Sequence, residues 1–213
     1  MAHGLECDVN MRTDSDRIYR AYSIKEDRND MATWNSRGLR GSTLEDMINK
    51  TNEKYRENGL ALIQKIPTPI TPIKMEPETR HITLAYFEQK STVDYIGAVQ
   101  GIPVCFDAKE CTVDTFSMQN IHEHQYQFMK EFEEQQGISF LILFFTMRNE
   151  LYYMPFRELK RYVDRIKEGH PKNFKYEELD KQNFIRAKGG ILVHYLEPLS
   201  RDLMSRESGD GED

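Results

Sequence analysis

The chain has 213 residues, a formal net charge of −6 and 38% hydrophobic residues. That length carries one domain with a sizeable core, and the longest apolar run, FLILFF at 140–145, is far too short to cross a bilayer. Cys7, Cys105 and Cys111 show no C-x-x-C spacing, which argues against a disulfide framework or a structural zinc and points to a reducing cytoplasm.

The opening residues are polar and charged, so no secretory leader is expected. Residues 1–36 lack a sustained apolar period and are expected to be a flexible extension, with a short helix around 16–24 and Trp34 where docking begins. The core domain is expected at 37–196, where acidic and basic residues balance. A neutral core of that kind can still carry a basic groove, and 148–188 holds an excess of Lys and Arg. A solvated helix face explains the same excess.

Ser42 and Glu45 have capping-box spacing, with Leu44, Met47, Ile48, Thr51 and Tyr55 as the helical stripe that follows. Glu45 is structural in that role. As a carboxylate beside a sheet it is also a candidate accessory to a metal site. A buried strand is expected at 60–66. Four prolines at 67–77 then exclude a helix or central strand, and 81–87 reads as a returning strand. The two arms make a projecting hairpin over 66–88, with Lys65, Lys74, Arg80, His81 and Lys90 along it; Lys65, Lys74, Arg80 and Lys90 are the candidate DNA contacts. An ordinary proline-stiffened loop with scattered charge is the plainer reading.

The chemistry gathers in 91–109, STVDYIGAVQGIPVCFDAK. The pattern predicts a strand at 92–96, a turn through 97–101 and a returning strand at 103–109. Strand alternation puts Thr92 and Asp94 on one face and Asp107 and Lys109 on another, and antiparallel pairing can make those faces coincide. Two carboxylates, a hydroxyl and an ammonium suit a hard cation such as Mg²⁺ beside a group that steadies a phosphate. A lone D-x-K tripeptide is common. Asp94 between apolar neighbours is not, because a buried carboxylate costs free energy unless paired or metal-bound.

A helix is expected at 120–136, with Gln125 as the polar residue on its apolar stripe. His122 and His124, two apart, should face different ways and make a poor zinc pair. Strands at 138–146 and 150–154, a helix from Pro155 to Lys167, a short helix at 176–181 and a last strand at 191–195 follow. Residues 197–213 read as an acidic, flexible tail.

The motifs KIPTPI at 65–70, KSTVDYIG at 90–97, FDAKE at 106–110 and the Asn120-Ile121…His124-Gln125 run together resemble the RecU family of Holliday junction resolvases, over about 40–195. The resemblance implies an α/β, restriction-endonuclease-like core: a mixed central sheet flanked by helices, with the proline-rich hairpin as a projecting stalk inserted at the junction centre. It implies a homodimer, Mg²⁺-dependent paired nicking of four-way DNA with Mn²⁺ as a substitute, and contact with the strand-exchange recombinase. Thr92, Asp94, Asp107 and Gln125 match the family's metal positions, and Lys109 the lysine that steadies the transition state. Asp107 stands where the family usually has Glu, one methylene longer. Two other readings are a junction-binding, recombinase-regulating protein without cleavage, and a same-fold nuclease acting on other branched DNA.

Overall fold

The computed structural model describes residues 13–15, 18, 43–87 and 92–209. Helix α1 spans Leu44–Glu57, one residue later than a Ser42 cap implies. Thr43 is the N-cap, its hydroxyl accepting from the Asp46 N–H at 3.3 Å, so Asp46 and not Glu45 takes the third position. Ser42 lies outside the described residues. Strand β1, Ala61–Lys65, follows. Strands β2, Ile70–Met75, and β3, Ile82–Phe87, pair antiparallel as a two-stranded sheet of their own.

Strand β4 is Tyr95–Val99 and β5 is Ile102–Cys111, joined by Gln100 and Gly101, both at positive φ. The turn is therefore tighter and later than 97–101. Gly97 is not a turn residue: it sits mid-strand opposite Ile63, where a Cβ would lie 2.1 Å from the Leu62 carbonyl oxygen. Gln100 adopts φ +50° ahead of Gly101, the backbone twist that two-residue hairpins require.

The polar stretch after β5 contains a short strand, β6 at Thr115–Ser117. Helix α2, Glu123–Glu134, is shorter than expected because Met118–Asn120 forms a separate 3-10 turn. Strands β7, Ile138–Phe145, and β8, Glu150–Pro155, lead into helix α3, Phe156–Lys167. Strand β9, Asn173–Lys175, pairs with β6, and the short helix expected at 176–181 is instead two 3-10 turns. Strand β10 is Phe184–Ile185.

Residues 191–195 are not a strand. Ile191, Val193 and Tyr195 are buried, and the Val193 N–H donates to Thr51 Oγ1 at 3.1 Å, so this segment packs against α1 rather than a strand edge. The expected tail is also corrected: Leu196–Glu207 is helix α4, with Leu196, Leu199 and Leu203 buried. Asp202 accepts from the Tyr153 hydroxyl at 3.0 Å, and Arg206 pairs with Glu133 on α2 at 2.6 Å. Of the N-terminal extension, Ile18 is buried in the core and Ser15 Oγ donates to Glu207 at 2.7 Å. The helix expected at 16–24 and Trp34 otherwise lie outside the described residues.

The main sheet has the order β1-β4-β5-β7-β8-β10, with β5 and β7 parallel and the other pairs antiparallel. Alternation assigns its two faces. Val104, Phe106, Phe140 and Ile142 face one core with α1 and α4. Cys105, Leu141 and Leu143 face the other with α2 and α3. A run of aromatic rings crosses four strands on the first face: Tyr95 on Phe106 at 4.7 Å, Phe106 on Phe140 at 4.7 Å, and Phe140 on Tyr153 at 4.6 Å. Each such pair adds about 0.5–1.5 kcal/mol beyond its burial. The mixed sheet between helix layers is the restriction-endonuclease-like α/β architecture read from the sequence. Among the described residues, no helix is long and apolar enough to cross a membrane.

Candidate active site

The aromatic run fixes the rung next to the site. Tyr95 pairs with Phe106, so Asp94, one residue before β4, stands beside Asp107. Phe106 faces the aromatic core, and Asp107 therefore points to the face covered by α2, as does Lys109 two residues on. Each carboxylate accepts a backbone N–H from across the hairpin. The Asp94 N–H donates to Asp107 Oδ1 at 3.2 Å, and the Ala108 N–H donates to Asp94 Oδ2 at 3.0 Å.

Gln125 closes the arrangement from α2. It is buried, its Nε2 donates to Asp107 Oδ1 at 3.0 Å, and its Oε1 accepts the His122 N–H at 3.2 Å. One amide thus caps the start of the helix and orients the carboxylate. Asp107 is fully buried, and its Oδ2 meets the Lys109 ammonium as an ion pair without gaining a hydrogen bond of sound geometry. Burial pushes the Asp107 carboxyl up to about 7, with Asp94 acting in the same direction and the Lys109 charge opposing it.

A buried carboxylate oxygen with only an ammonium for company is a place for a cation. The donors here are hard oxygens, which select Mg²⁺ or Mn²⁺ over softer metals. Among the described residues, no cluster of three or more His, Cys, Asp or Glu stands together. Two carboxylates completed by water and a substrate phosphate match the way Mg²⁺ is commonly held. The residues fit the group.

The other sequence candidates divide. Thr92 is half-buried two residues before Asp94 and makes no hydrogen bond to either carboxylate among the described residues. Glu45 Oε2 is 2.5 Å from Lys65 Nζ, so these two neutralise each other at the solvent surface. That pair is nonetheless near the site, because the Ile66 N–H donates to the Asp94 carbonyl at 2.8 Å. Lys74 and Arg80 are exposed on the β2–β3 hairpin, Arg80 with φ +57°. Lys90 lies outside the described residues.

Sequence reasoning missed two supports. Glu110 Oε1 accepts the Leu44 N–H at 2.8 Å and ties the start of α1 to the site strand. The Tyr95 hydroxyl donates to Asn49 Oδ1 at 3.1 Å on the same helix. The place of Glu110 directly after D-x-K was the available signal. Asn49 gave none, being one polar residue on a helix.

A family model described as Recombination protein U matches residues 39–201 of this chain. Among curated proteins, the Holliday junction resolvase RecU of Geobacillus sp. (strain WCH70) is 38% identical over 156 residues, covering 71% of this chain and 78% of that protein. That of Oenococcus oeni is 40% identical over 169 residues, with 77% and 86% covered. That of Levilactobacillus brevis is 33% identical over 198 residues, with 91% and 98% covered. A sheet-borne carboxylate pair braced by a lysine and a glutamine, in a chain matched over most of its length, identifies the protein as a member of the RecU family.

Proposed function

We propose that this chain is a Holliday junction resolvase, an endonuclease that makes paired nicks in four-way DNA junctions and depends on Mg²⁺, with Mn²⁺ able to replace it. The observation that carries the reading is the Asp94–Asp107 pair with an under-satisfied buried oxygen, held between Gln125 and Lys109. A bound divalent cation supplies acidity to water and polarises the scissile phosphate. Asp94 and Asp107 present the oxygens that would hold it. Gln125 fixes the Asp107 carboxylate in one orientation, and Thr92 lies close enough in sequence to help through water. With a cation on that oxygen Lys109 would be released from Asp107, and its ammonium would offset the charge on the pentacovalent phosphate.

The β2–β3 hairpin is the element that gives junction preference, acting as a stalk at the open centre of the four-way DNA. Its support is exposure: Ile73, Met75, Leu84, Tyr86 and Phe87 all lie largely in solvent. A second copy of the chain is the other partner, since two sites related by a two-fold axis match a two-fold substrate. The family resemblance adds the strand-exchange recombinase as a further partner. Lys65, Lys74, Arg80 and Lys90 are the phosphate contacts on this reading, which makes binding salt-sensitive.

The test is cleavage of a labelled mobile junction beside a linear duplex of the same sequence, with Mg²⁺ and with EDTA. Symmetric, Mg²⁺-dependent nicks confined to the junction are expected. Equal cutting of both substrates contradicts the junction assignment, and tight junction binding with no cutting under any divalent metal contradicts the nuclease assignment.

A further inference from the structure

Helix α2 is anchored at both ends of one stripe. Gln125, Met129 and Glu133 are spaced four residues apart, so they lie one above another on the same face. Gln125 holds Asp107 at the first end. At the other, Glu133 Oε1 accepts the Ser139 N–H at 2.7 Å. The Ser139 hydroxyl lies within hydrogen-bonding reach of Glu133 Oε1 at 3.0 Å and of the Met129 carbonyl oxygen at 3.1 Å. Ser139 is fully buried and pairs with Cys105 on β5, one same-face rung from the pairing of Asp107 with Leu141. Glu133 is held in turn from α4. Arg206 donates to both of its oxygens, at 2.6 and 3.1 Å, and to Asp202 at 3.2 and 3.3 Å. Asp202 is buried and fixed by the Tyr153 hydroxyl.

We propose that Glu133 is a positioning residue for the cleavage reaction: it sets α2 on the sheet so that Gln125 meets Asp107, and Arg206 of the C-terminal helix holds its carboxylate. This rests on the nuclease reading of Asp94 and Asp107. Apolar packing is non-directional, and Met129, between the two anchors, is an adaptable filler that specifies no position. Hydrogen bonds weaken steeply when bent, so the Ser139 bonds fix both the rotation of α2 and its height on the sheet. Eight residues separate Glu133 from Gln125, about 12 Å of helix, and a piece that short moves as a unit. A serine and a carboxylate beside Cys105, Leu141 and Leu143 cost free energy that an apolar pair would not. Positional specificity is what a satisfied buried network supplies in exchange. Helix α4 thereby belongs to the active-site scaffold, acting from the far end of α2.

The experiment is a double-mutant cycle on full-length protein. Mn²⁺ affinity is read by electron paramagnetic resonance at pH 8, below the melting range of every variant. Glu133→Ala should weaken Mn²⁺ binding by about tenfold, as expected for a group that orients a ligand. Glu133→Ala/Gln125→Ala should bind no more weakly than Gln125→Ala alone, because both changes break one path. Glu133→Gln, whose amide oxygen still accepts from Ser139, should recover most of the affinity. Arg206→Lys keeps the charge without the fork and should fall between wild type and Glu133→Ala. Ser139→Ala removes one hydroxyl and little volume, so it carries the test if Glu133→Ala does not fold; its smaller loss should also vanish in the Gln125→Ala background. Ile185→Ala, in the core on β10, is the stability control: it should melt earlier and bind Mn²⁺ as wild type does. Losses that multiply in the double variants overturn the proposal. So does a Glu133→Ala protein that binds as wild type, or an Ile185→Ala protein that loses as much affinity. An Arg206→Lys protein equal to wild type overturns the part given to α4. A wild type that binds no Mn²⁺ brings down the metal site of the proposed function, and this inference with it.

Discussion

Two hairpins leave neighbouring points of this chain and end in opposite environments. The β4–β5 hairpin is buried in a six-stranded sheet, with Phe106 fully covered and held between Tyr95 and Phe140. The β2–β3 hairpin pairs only with itself, and Phe87 on it is 73% exposed. An isolated two-stranded hairpin is marginal in water, and seven of its apolar side chains, from Ile70 to Phe87, are exposed. On the function proposed above, the contrast separates two jobs. Carboxylates that share a cation must be held to fractions of an ångström, and the buried sheet does that. A surface that meets a large partner keeps its apolar groups in solvent until the partner arrives.

The strongest way to break this contrast is to remove charge from the buried hairpin. Asp107→Asn, or Asp94→Asn, should lower junction cutting by about a thousandfold or more while sparing junction binding, because the cation loses a ligand and the DNA surface is untouched. Gel-based cleavage alongside anisotropy in Ca²⁺ reads both quantities. Loss of binding in a folded variant places DNA affinity at the carboxylates instead.

Stability comes next. Phe106→Ala removes the ring between Tyr95 and Phe140 and should cost about 3–5 kcal/mol in urea melts. Phe87→Ala on the exposed hairpin should change monomer stability by no more than about 0.5 kcal/mol. Comparable losses at both positions would erase the distinction between the hairpins.

Gln125→Ala leaves Asp107 Oδ1 with only the Asp94 N–H. Metal affinity should fall by about 10- to 100-fold, the usual effect of losing a group that orients a ligand. Saturating Mn²⁺ should restore most of the cutting rate, which separates this change from Asp107→Asn.

A smaller effect follows from the raised Asp107 carboxyl. Between its ordinary value near ~4 and about 7, the folded chain keeps a proton that the unfolded chain has lost. Stability in EDTA should therefore fall as pH rises through that window and level off above it. Thermal melts at pH 5, 6, 7 and 8 follow the trend, and Asp107→Asn should flatten it. The smallest effect belongs to the exposed hairpin: Arg80→Ala should weaken junction binding a few-fold and reduce its salt slope by about one.

How far the sequence could be read follows the same division. Alternation alone placed Asp107 and Lys109 on one face, since strand parity survives errors in the strand ends. The ends themselves were misread at Gly97. A glycine in a β-rich stretch looks like a turn, and only the close approach of β1 explains why it sits mid-strand. The last helix was hidden differently. Leu196, Leu199 and Leu203 carry a helical stripe, but the acidic residues among them resembled a frayed end. Asp202 and Glu207 are in fact used, one by Tyr153 and Arg206 and the other by Ser15. The stacking of His122 on His124 was not legible, because it depends on the N-cap residue leaving helical geometry.

The proposed activity depends on a divalent cation held by Asp94 and Asp107. The most direct measurement is Mn²⁺ binding, followed by electron paramagnetic resonance, to wild type and to Asp107→Asn at pH 8. Saturable binding to wild type that is lost in the variant is the predicted result. Equal Mn²⁺ binding by both proteins, or none by wild type, would contradict the account.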